Sequence, residues 1–286
     1  MSVQASIVVR SYNRVHALCE LVQNLLNQEY DSYEVIIIEQ STRYDQKDWE
    51  LLLALSNDPK IKLLKYEPLG GPKARNEGVI NAIGDILIFV DDDDLPVNNQ
   101  WIKQHVEAYQ DEYLVGFTGR HIFQGKNHQC TYAQSMRYFI RKSCMSYNWL
   151  KFPYTFAQFD EDVDNVGWLH GTNSSIRRDW VLKAGLWETN VVNQDEHSFA
   201  FKLHKFLKNG YRLDYKKEPA LIRRMDIDGG MEKRKFSMKK SWNNHYSYMK
   251  NTIFNFYPNL KVLYPFMVIW ISYKVLGSKL KDLSKV

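Results

Sequence analysis

Three short apolar runs near the start of the chain predict strands that are buried on both faces. They span Ala5 to Val9, Glu34 to Ile38 and Ile86 to Val90, are rich in Val and Ile, and end abruptly in polar residues. Between the runs, apolar residues recur at helical spacing. These positions are Leu18, Leu21, Val22, Leu25, Leu26, Leu51, Leu52 and Leu55. The βαβ alternation predicts an α/β fold with a mostly parallel sheet flanked by helices.

The polar residues that follow each strand are the first candidates for chemistry. In open parallel sheets ligands bind beyond the carboxyl ends of the strands, where the loops vary freely over a fixed core. Three segments should therefore meet at one rim of the sheet. They are Ser11, Tyr12, Asn13 and Arg14 after the first run, Glu39, Gln40, Ser41 and Thr42 after the second, and Asp91, Asp92, Asp93 and Asp94 after the third.

The second half of the chain predicts a different organisation. The segment from Gly167 to Arg178 reads as a turn leading into a strand, and Gln194 to Leu207 reads as a helix. A glycine pair at Gly229 and Gly230 precedes a basic, aromatic segment. We therefore expect a catalytic domain over residues 1–230 and a helical C-terminal extension over residues 231–286.

Composition and charge narrow the class of protein. The 286 residues are 44% hydrophobic and 14% aromatic, which suits a folded globular chain. The net charge of +5 does not by itself indicate a nucleic-acid partner, but residues 1–201 carry a net −8 and residues 202–286 a net +13. Three widely spaced cysteines and no signal peptide favour a cytoplasmic protein without disulfides or a zinc site.

The run from Asp91 to Asp94 is the strongest chemical signal. Four adjacent carboxylates repel one another, so a positive group should lie among them. Carboxylate oxygens suit Mg²⁺ or Mn²⁺, and phosphate oxygens often complete the shell of such an ion. This pattern predicts a site for a nucleoside diphosphate with a metal. The alternative is that the aspartates are solvated turn residues or cap the next helix.

A second basic element lies upstream of the acidic run. Gly70 and Gly71 permit close backbone approach, and Lys73 and Arg75 could face phosphates. The alternative is an ordinary loop that opens a helix.

The C-terminal extension combines lysines with aromatic residues, a composition that suits the surface of a bilayer. Only 12 uncharged residues separate Lys261 from Lys274, and Pro265 interrupts them, so we expect this run to be too short to span a membrane. The alternative is that the aromatic residues pack on the catalytic domain.

Taken in order, these motifs resemble the family 2 glycosyltransferases over about Ala5 to Tyr215. The matching segments are SIVVRSYNR, YEVIIIEQST, GGPKARNEGVINAIGDILIFVDDDD, GTNSSIRRDWVLKAGLWE and NQDEHSFAFKLHKFLKNGYRLDY. The resemblance implies a Rossmann-like GT-A fold and an inverting transferase. Such an enzyme moves a sugar from a nucleotide donor, with Mn²⁺ or Mg²⁺, to a hydroxyl of a glycan or lipid-linked acceptor. A UDP-sugar is the first expectation for the donor.

The resemblance also implies roles for particular residues. Asp195 is expected to be the catalytic base, with Glu196 as the substitute, and Asp93 is expected to bind the metal. Expected acceptor contacts are Trp168, His170 and Asn173. Among the donor contacts, Asp91 is expected near the ribose and Glu39 near the nucleobase. The remaining donor contacts are Ser11, Asn13, Arg14, Lys73, Arg75 and Asp92.

Several positions depart from the family pattern. Arg10 stands where Pro is usual, Glu39 and Gln40 replace a usual Asp pair, and Gln194 takes the first position of the usual Glu-Asp pair. The QxxRW sequence of processive members is missing, which favours single additions.

Two other classes of function stay open. A nucleotidyltransferase also uses carboxylate-bound Mg²⁺, although the loop RSYNR lacks the expected glycines, and Gln194 leaves room for a catalytically idle module that binds glycans or membranes. We expect no nucleic-acid partner, because the basic extension contains no recognisable module. The expected setting is bacterial surface polysaccharide synthesis in the cytoplasm, with a peripheral position on the inner face of the plasma membrane as the further option.

Overall fold

The computed structural model describes residues 5–124, 161–191, 195–224, 227, 237–256 and 258–283. Eight strands in these residues form a single sheet. In chain order they are β1 Ala5–Ser11, β2 Tyr33–Glu39, β3 Ile61–Lys65, β4 Ile86–Asp91, β5 Asp94–Pro96, β6 Leu114–Gln124, β7 Ser174–Arg177 and β8 Arg212–Arg224. Across the sheet their order is β3-β2-β1-β4-β7-β6-β8-β5.

The helices that matter for the site follow these strands or close the chain. They are α1 Val15–Leu26, α2 Gln46–Leu55, α3 Gly71–Asn81, α4 Trp101–Glu107, α5 Arg178–Ala184, α6 Asp195–His204, α7 Met238–Tyr248 and α8 Tyr264–Leu283. Their ends have local causes. Asp45 caps α2 by accepting from the backbone N–H of Lys47, and α5 ends at Gly185, whose φ of 86° is left-handed.

The predicted parallel core of the sheet is confirmed. β1 lies between β2 and β4 and is parallel to both, so the three predicted runs are neighbours. The sequence pattern missed β3, which extends this parallel group at the edge of the sheet. The run IKLLK has only one fully buried residue, Ile61, and therefore lacks the continuous apolar pattern of a central strand.

Successive side chains of each strand point to opposite faces of the sheet, so the core has two layers. On β1, Ile7 and Val9 pack with α1 and α4, whereas Val8 faces the opposite layer with α3. A Cβ on Gly78 of α3 would collide with the side chain of Val8. Glycine at this position therefore lets α3 approach the sheet closely.

A third apolar cluster joins the C-terminal helices to the domain. Phe201 of α6 packs with Ile253, Met267, Ile271 and other residues of the extension. A helical C-terminal region is therefore present, as predicted. The predicted boundary near Gly230 lies outside the described residues and stays a prediction.

The expectation that the last apolar run is too short to span a membrane is wrong on length. Within the described residues, the stretch Pro258–Gly277 is long and apolar enough to cross a bilayer by length and composition, and 17% of it is buried in the protein. Pro265 does not break α8, because it is the second residue of the helix, where its missing N–H costs no helical hydrogen bond.

Candidate active site

The predicted rim forms at the carboxyl ends of β1, β2 and β4. The backbone N–H of Tyr12 donates to Asp92 over 3.2 Å, and the N–H of Asn13 donates to the hydroxyl of Ser41 over 2.7 Å. The loop after β1 therefore contacts the loops after both neighbouring strands. Asn13, with a φ of 57°, also accepts from the N–H of Thr42 over 3.0 Å.

The positive groups among the four aspartates are arginines. Arg10 contacts Asp91 over 2.5 Å. Arg14 contacts Asp92 over 3.2 Å and Asp93 over 2.6 Å. A further arginine from β8, Arg223, approaches Asp91 to 4.0 Å. Side chains of the protein itself therefore supply part of the positive charge that the sequence pattern required.

Three of the aspartates are also arranged for a cation. One carboxylate oxygen from each of Asp91, Asp93 and Asp94 lies within 4.8 Å of the others. The buried Oδ1 atoms of Asp93 and Asp94 make no hydrogen bond within the described part of the chain. Hard, buried carboxylate oxygens without a donor are what Mg²⁺ or Mn²⁺ requires, so these residues fit such an ion. The structure places Asp91 and Asp94 beside Asp93, the expected metal ligand.

Burial favours the protonated form of two aspartates in this cluster when no cation is present. It raises the pKa of Asp92 to about 7 and the pKa of Asp94 to about 8. Thr172 donates to Asp94 over 2.6 Å, while Asp92 lies outside the three-residue group. Asp92 therefore accepts a hydrogen bond from the loop after β1 and lies outside the group of carboxylates that could bind a cation.

Glu39, the expected nucleobase contact, is fully buried. Its carboxylate accepts from the N–H of Ser41 over 2.8 Å and is paired with Lys65. Lys65 in turn lies 4.9 Å from the ring centre of Tyr44 and 4.7 Å from that of Trp49. Of these groups Lys65 and Tyr44 are exposed, whereas the carboxylate of Glu39 is closed off from solvent and occupied by Lys65 and Ser41.

The remaining predicted donor residues differ in exposure. Ser11 is buried at the end of β1, and Lys73 is exposed in the first turn of α3. Of the two, Lys73 is the one open to a ligand in solution.

The sequence pattern suggested that Arg75 faces a phosphate, but in the structure this side chain is buried and paired with carboxylates. It is 1% exposed and contacts Asp195 over 2.5 Å and Glu196 over 3.2 Å. Its guanidinium also lies 5.0 Å from the ring centre of Trp187. The predicted phosphate contact is corrected on this point: its charge is committed to the two acidic residues of α6.

The two carboxylates of α6 are not equivalent. Burial raises the pKa of Asp195 to about 6 despite the opposing charge of Arg75. Burial also acts on Glu196, but Arg75, Arg10 and the hydrogen bonds of this carboxylate together outweigh it, so the pKa of Glu196 is lowered. A base works best when its pKa approaches the working pH, so this difference agrees with the expectation that Asp195 is the base, which stays a prediction.

Aromatic and imidazole rings line the approach to α6. The ring of Trp168 lies 5.0 Å from His170 and 4.3 Å from His197, measured between ring centres. The Nδ1 atom of His197 lies 3.3 Å from the hydroxyl of Tyr248 in α7. Two predicted acceptor residues, Trp168 and His170, therefore lie beside the acidic pair.

Asn173, the third predicted acceptor residue, belongs to the core and not to this approach. It is fully buried, accepts from the indole N–H of Trp101 over 2.9 Å, and donates to the backbone oxygens of Arg120 and Pro219. Because all of its polar atoms are used inside the sheet, the structure does not support an acceptor contact at Asn173.

Sequence reasoning missed several residues of the site. Arg10 carried a signal, since it departs from the usual Pro, but its charge was not interpreted. Thr172 and His197 lie within two of the matching segments, beside the predicted residues Asn173 and Glu196, but were not selected. Tyr248 and Arg223 come from distant segments and had no local signal. Gln194 lies outside the described residues.

The fold and its carboxylate-lined rim define the GT-A class of transferase structures. A complex of S. aureus TarS 1-349 with UDP-GlcNAc has a TM-score of 0.58 at 15% identity, over 86% of this chain and 66% of that one. Mannosyltransferase PcManGT from Pyrobaculum calidifontis, in complex with GDP-Man and Mn²⁺, has a TM-score of 0.59 at 14% identity, over 97% and 75%. Identities this low establish the fold alone.

Residues 6–184 match the model of the family described as Glycosyl transferase family 2, and the chain belongs to that family. The uncharacterized glycosyltransferase YwdF of Bacillus subtilis (strain 168) is 36% identical over 119 residues, which are 39% of this chain and 43% of YwdF. The chain spans 14% to 43% of the length of the curated relatives that it matches. The family and fold predicted from the motifs are confirmed.

Proposed function

We propose that the protein is an inverting glycosyltransferase that moves one sugar from a nucleotide-sugar donor to an acceptor hydroxyl. One observation supports this proposal above the others: two arginines link the aspartate cluster to the acidic pair of α6. Arg10 interacts electrostatically with Asp91, Asp195 and Glu196, and Arg75 with the same three carboxylates. A site for a leaving diphosphate and a site for a base would then be adjacent.

The donor side would hold a divalent cation at Asp91, Asp93 and Asp94. When bound, Mn²⁺ or Mg²⁺ stabilises the negative charge that develops on the departing diphosphate. A UDP-sugar is our first candidate donor. The solved structures of similar fold that contain UDP-GlcNAc and GDP-Man support a nucleotide sugar as the donor. Which nucleobase this chain binds has to be measured.

The acceptor side would use Asp195 as the base. Its Oδ2 accepts from Arg75, and the carboxylate would take the proton of the attacking hydroxyl. Attack occurs on the face of the sugar opposite the leaving diphosphate, so the anomeric configuration inverts. Arg75 acts as a positioning residue, because it fixes the carboxylate without contacting the reacting atoms.

The acceptor we propose is a saccharide, free or linked to a lipid, in bacterial surface polysaccharide synthesis. Trp168 offers a ring face for a sugar, and His170 and His197 offer hydrogen-bonding atoms beside it. The absence of QxxRW supports a single addition per binding event. We place the enzyme in the cytoplasm, at the inner face of the plasma membrane.

A thermal-shift screen tests this function. UDP-, GDP- and dTDP-sugars are each added with and without Mn²⁺, because a ligand that binds only the folded state raises the melting temperature. We expect one nucleotide class to raise it, more strongly with Mn²⁺, and to release its nucleoside diphosphate when an acceptor is present. Failure of all three classes to bind or to be turned over would contradict the proposal.

A further inference from the structure

The C-terminal helix α8 carries an apolar face that is largely exposed within the described part of the protein. The residues of this face recur at helical spacing and form one stripe along the helix. They are Phe266, Ile269, Trp270, Tyr273, Leu276 and Leu280, with exposed fractions of 69%, 67%, 41%, 72%, 53% and 67%. An apolar stripe of this length on the surface calls for a partner.

The face of α8 opposite the stripe is buried, and this determines the direction in which the stripe points. Met267, Ile271 and Val275 are 4%, 0% and 3% exposed and pack in a cluster with Phe201 of α6. This face of α8 is therefore packed against the rest of the C-terminal extension and, through Phe201, against α6. The stripe points away from that attachment and into solvent.

Charge identifies the chemistry of the partner. Residues 237–286 contain eight lysines and one acidic residue. By helical spacing, the exposed Lys274 and Lys279 flank the stripe on opposite sides. Trp270 and Tyr273 within the stripe are residues enriched at the boundary between lipid headgroups and acyl chains. An apolar face edged by lysines matches an anionic bilayer surface.

We propose that the α8 stripe docks the protein on an anionic lipid bilayer, with α8 parallel to the membrane plane. A spanning arrangement would remove Met267, Ile271 and Val275 from their contacts in this apolar cluster. The parallel position keeps those contacts, buries the stripe and leaves the flanking lysines at the headgroups.

Docking would also orient the acceptor side. The cluster that holds α8 contains Phe201, and the same helix, α6, begins with Asp195 and Glu196. The bilayer would therefore lie one helix away from the proposed base, which suits a lipid-linked acceptor. This orienting role rests on the proposed function, whereas the docking itself does not.

Vesicle flotation of the full chain tests the docking. The vesicles are phosphatidylcholine alone and phosphatidylcholine mixed with phosphatidylglycerol. The stripe variant is Phe266→Ser with Ile269→Ser. The matched control is Ile80→Ser with Ile83→Ser, since these two residues are also exposed, at 57% and 67%, and lie on the catalytic domain. Melting temperatures and UDP affinity, measured without vesicles, separate docking from folding and from the donor site.

We expect wild type and the control to float with the anionic vesicles and to be released by alkaline carbonate. The stripe variant should bind them about tenfold more weakly, because two apolar side chains no longer enter the interface. Equal flotation of stripe variant and wild type would overturn the proposal. So would resistance of wild type to carbonate, which indicates a span, or light scattering that shows a wild-type dimer lost in the stripe variant.

Discussion

Salt bridges in the site join residues that are far apart in the sequence. Arg75 from α3 holds both carboxylates at the start of α6, and Arg14 holds Asp92 and Asp93. In a buried setting an arginine determines which carboxylate stays ionised and where it points. The two acidic groups of α6 can therefore differ in function although they are adjacent in sequence.

Replacing the proposed base tests this difference. Asp195→Asn should reduce transfer about 10²- to 10⁴-fold, the usual contribution of a positioned base. Nucleotide affinity should stay unchanged, because the aspartate cluster is intact. The measurements are turnover with the donor found by thermal shift and calorimetry with its nucleotide.

Glu196→Gln is the matched control for that change. It removes a neighbouring carboxylate that also contacts Arg75 but has a lowered pKa, so we expect a smaller loss of transfer. A larger loss in Glu196→Gln than in Asp195→Asn would assign the base to Glu196.

The aspartate cluster gives a second prediction at this scale. Asp93→Ala removes one of the three carboxylates that can share a cation, so Mn²⁺ should no longer strengthen nucleotide binding. Calorimetry with UDP and GDP, each with Mn²⁺ and with EDTA, measures the effect. In EDTA the variant and wild type should bind alike, and an unchanged Mn²⁺ dependence in the variant would refute the ligand role of Asp93.

At the scale of elements, the position of α3 on the sheet controls the site. This helix carries Arg75, and its approach to β1 depends on the absence of a side chain at Gly78. A tightly packed interface transmits a small displacement to every residue of the helix. The sequence pattern predicted the helix but not how closely it must pack.

Gly78→Ala should therefore destabilise the protein by about 1–3 kcal/mol, the usual cost of overpacking a core. Gly277→Ala is the matched control, because a Cβ at that helical glycine would meet no atom within 4 Å. The control should be neutral or more stable by up to about 1 kcal/mol from helix propensity. Urea unfolding measures both, and equal stability of Gly78→Ala and wild type would show that α3 can shift freely.

Across the whole molecule, several buried histidines are held neutral. His105 is a fully buried residue of helix α4, with Nδ1 2.9 Å from the hydroxyl of Ser175 in β7 and Nε2 3.3 Å from Asn173. Burial lowers its pKa to about 3. The unfolded chain takes up this proton near pH 6.5, so below that pH the unfolded state binds more protons and the folded state loses stability.

The variant His105→Gln lacks the titrating imidazole, so comparing it with wild type isolates the effect of His105. The buried aspartates act in the opposite direction in both proteins, because their raised pKa values favour the folded state as the pH falls. Between about pH 6.5 and pH 5, wild type should lose about 1.5 kcal/mol more free energy of unfolding than the variant. Urea unfolding at several pH values provides the measurement. Parallel pH profiles for the two proteins would indicate that His105 is protonated in the fold.

Much of the fold was predictable because its signals are local. The apolar runs at Ala5 to Val9 and Ile86 to Val90 predicted neighbouring parallel strands, and the topology places them side by side. β3 was missed because half-exposed edge strands lack a continuous apolar run. The length of the last helix was underestimated, because a proline in a first turn was taken as an interruption.

The sequence by itself determined the α/β fold and the rim at which polar segments meet, since strand periodicity is a property of consecutive residues, and the resemblance of its motifs to a family pointed to Asp93 and Asp195. Only the tertiary structure decided the partners of those acids. It assigned Arg75 to the acidic pair, placed Asn173 in the core, and left one face of α8 uncovered. Such pairings join residues far apart in the chain, and burial, which sets their charge, exists only after the layers have packed.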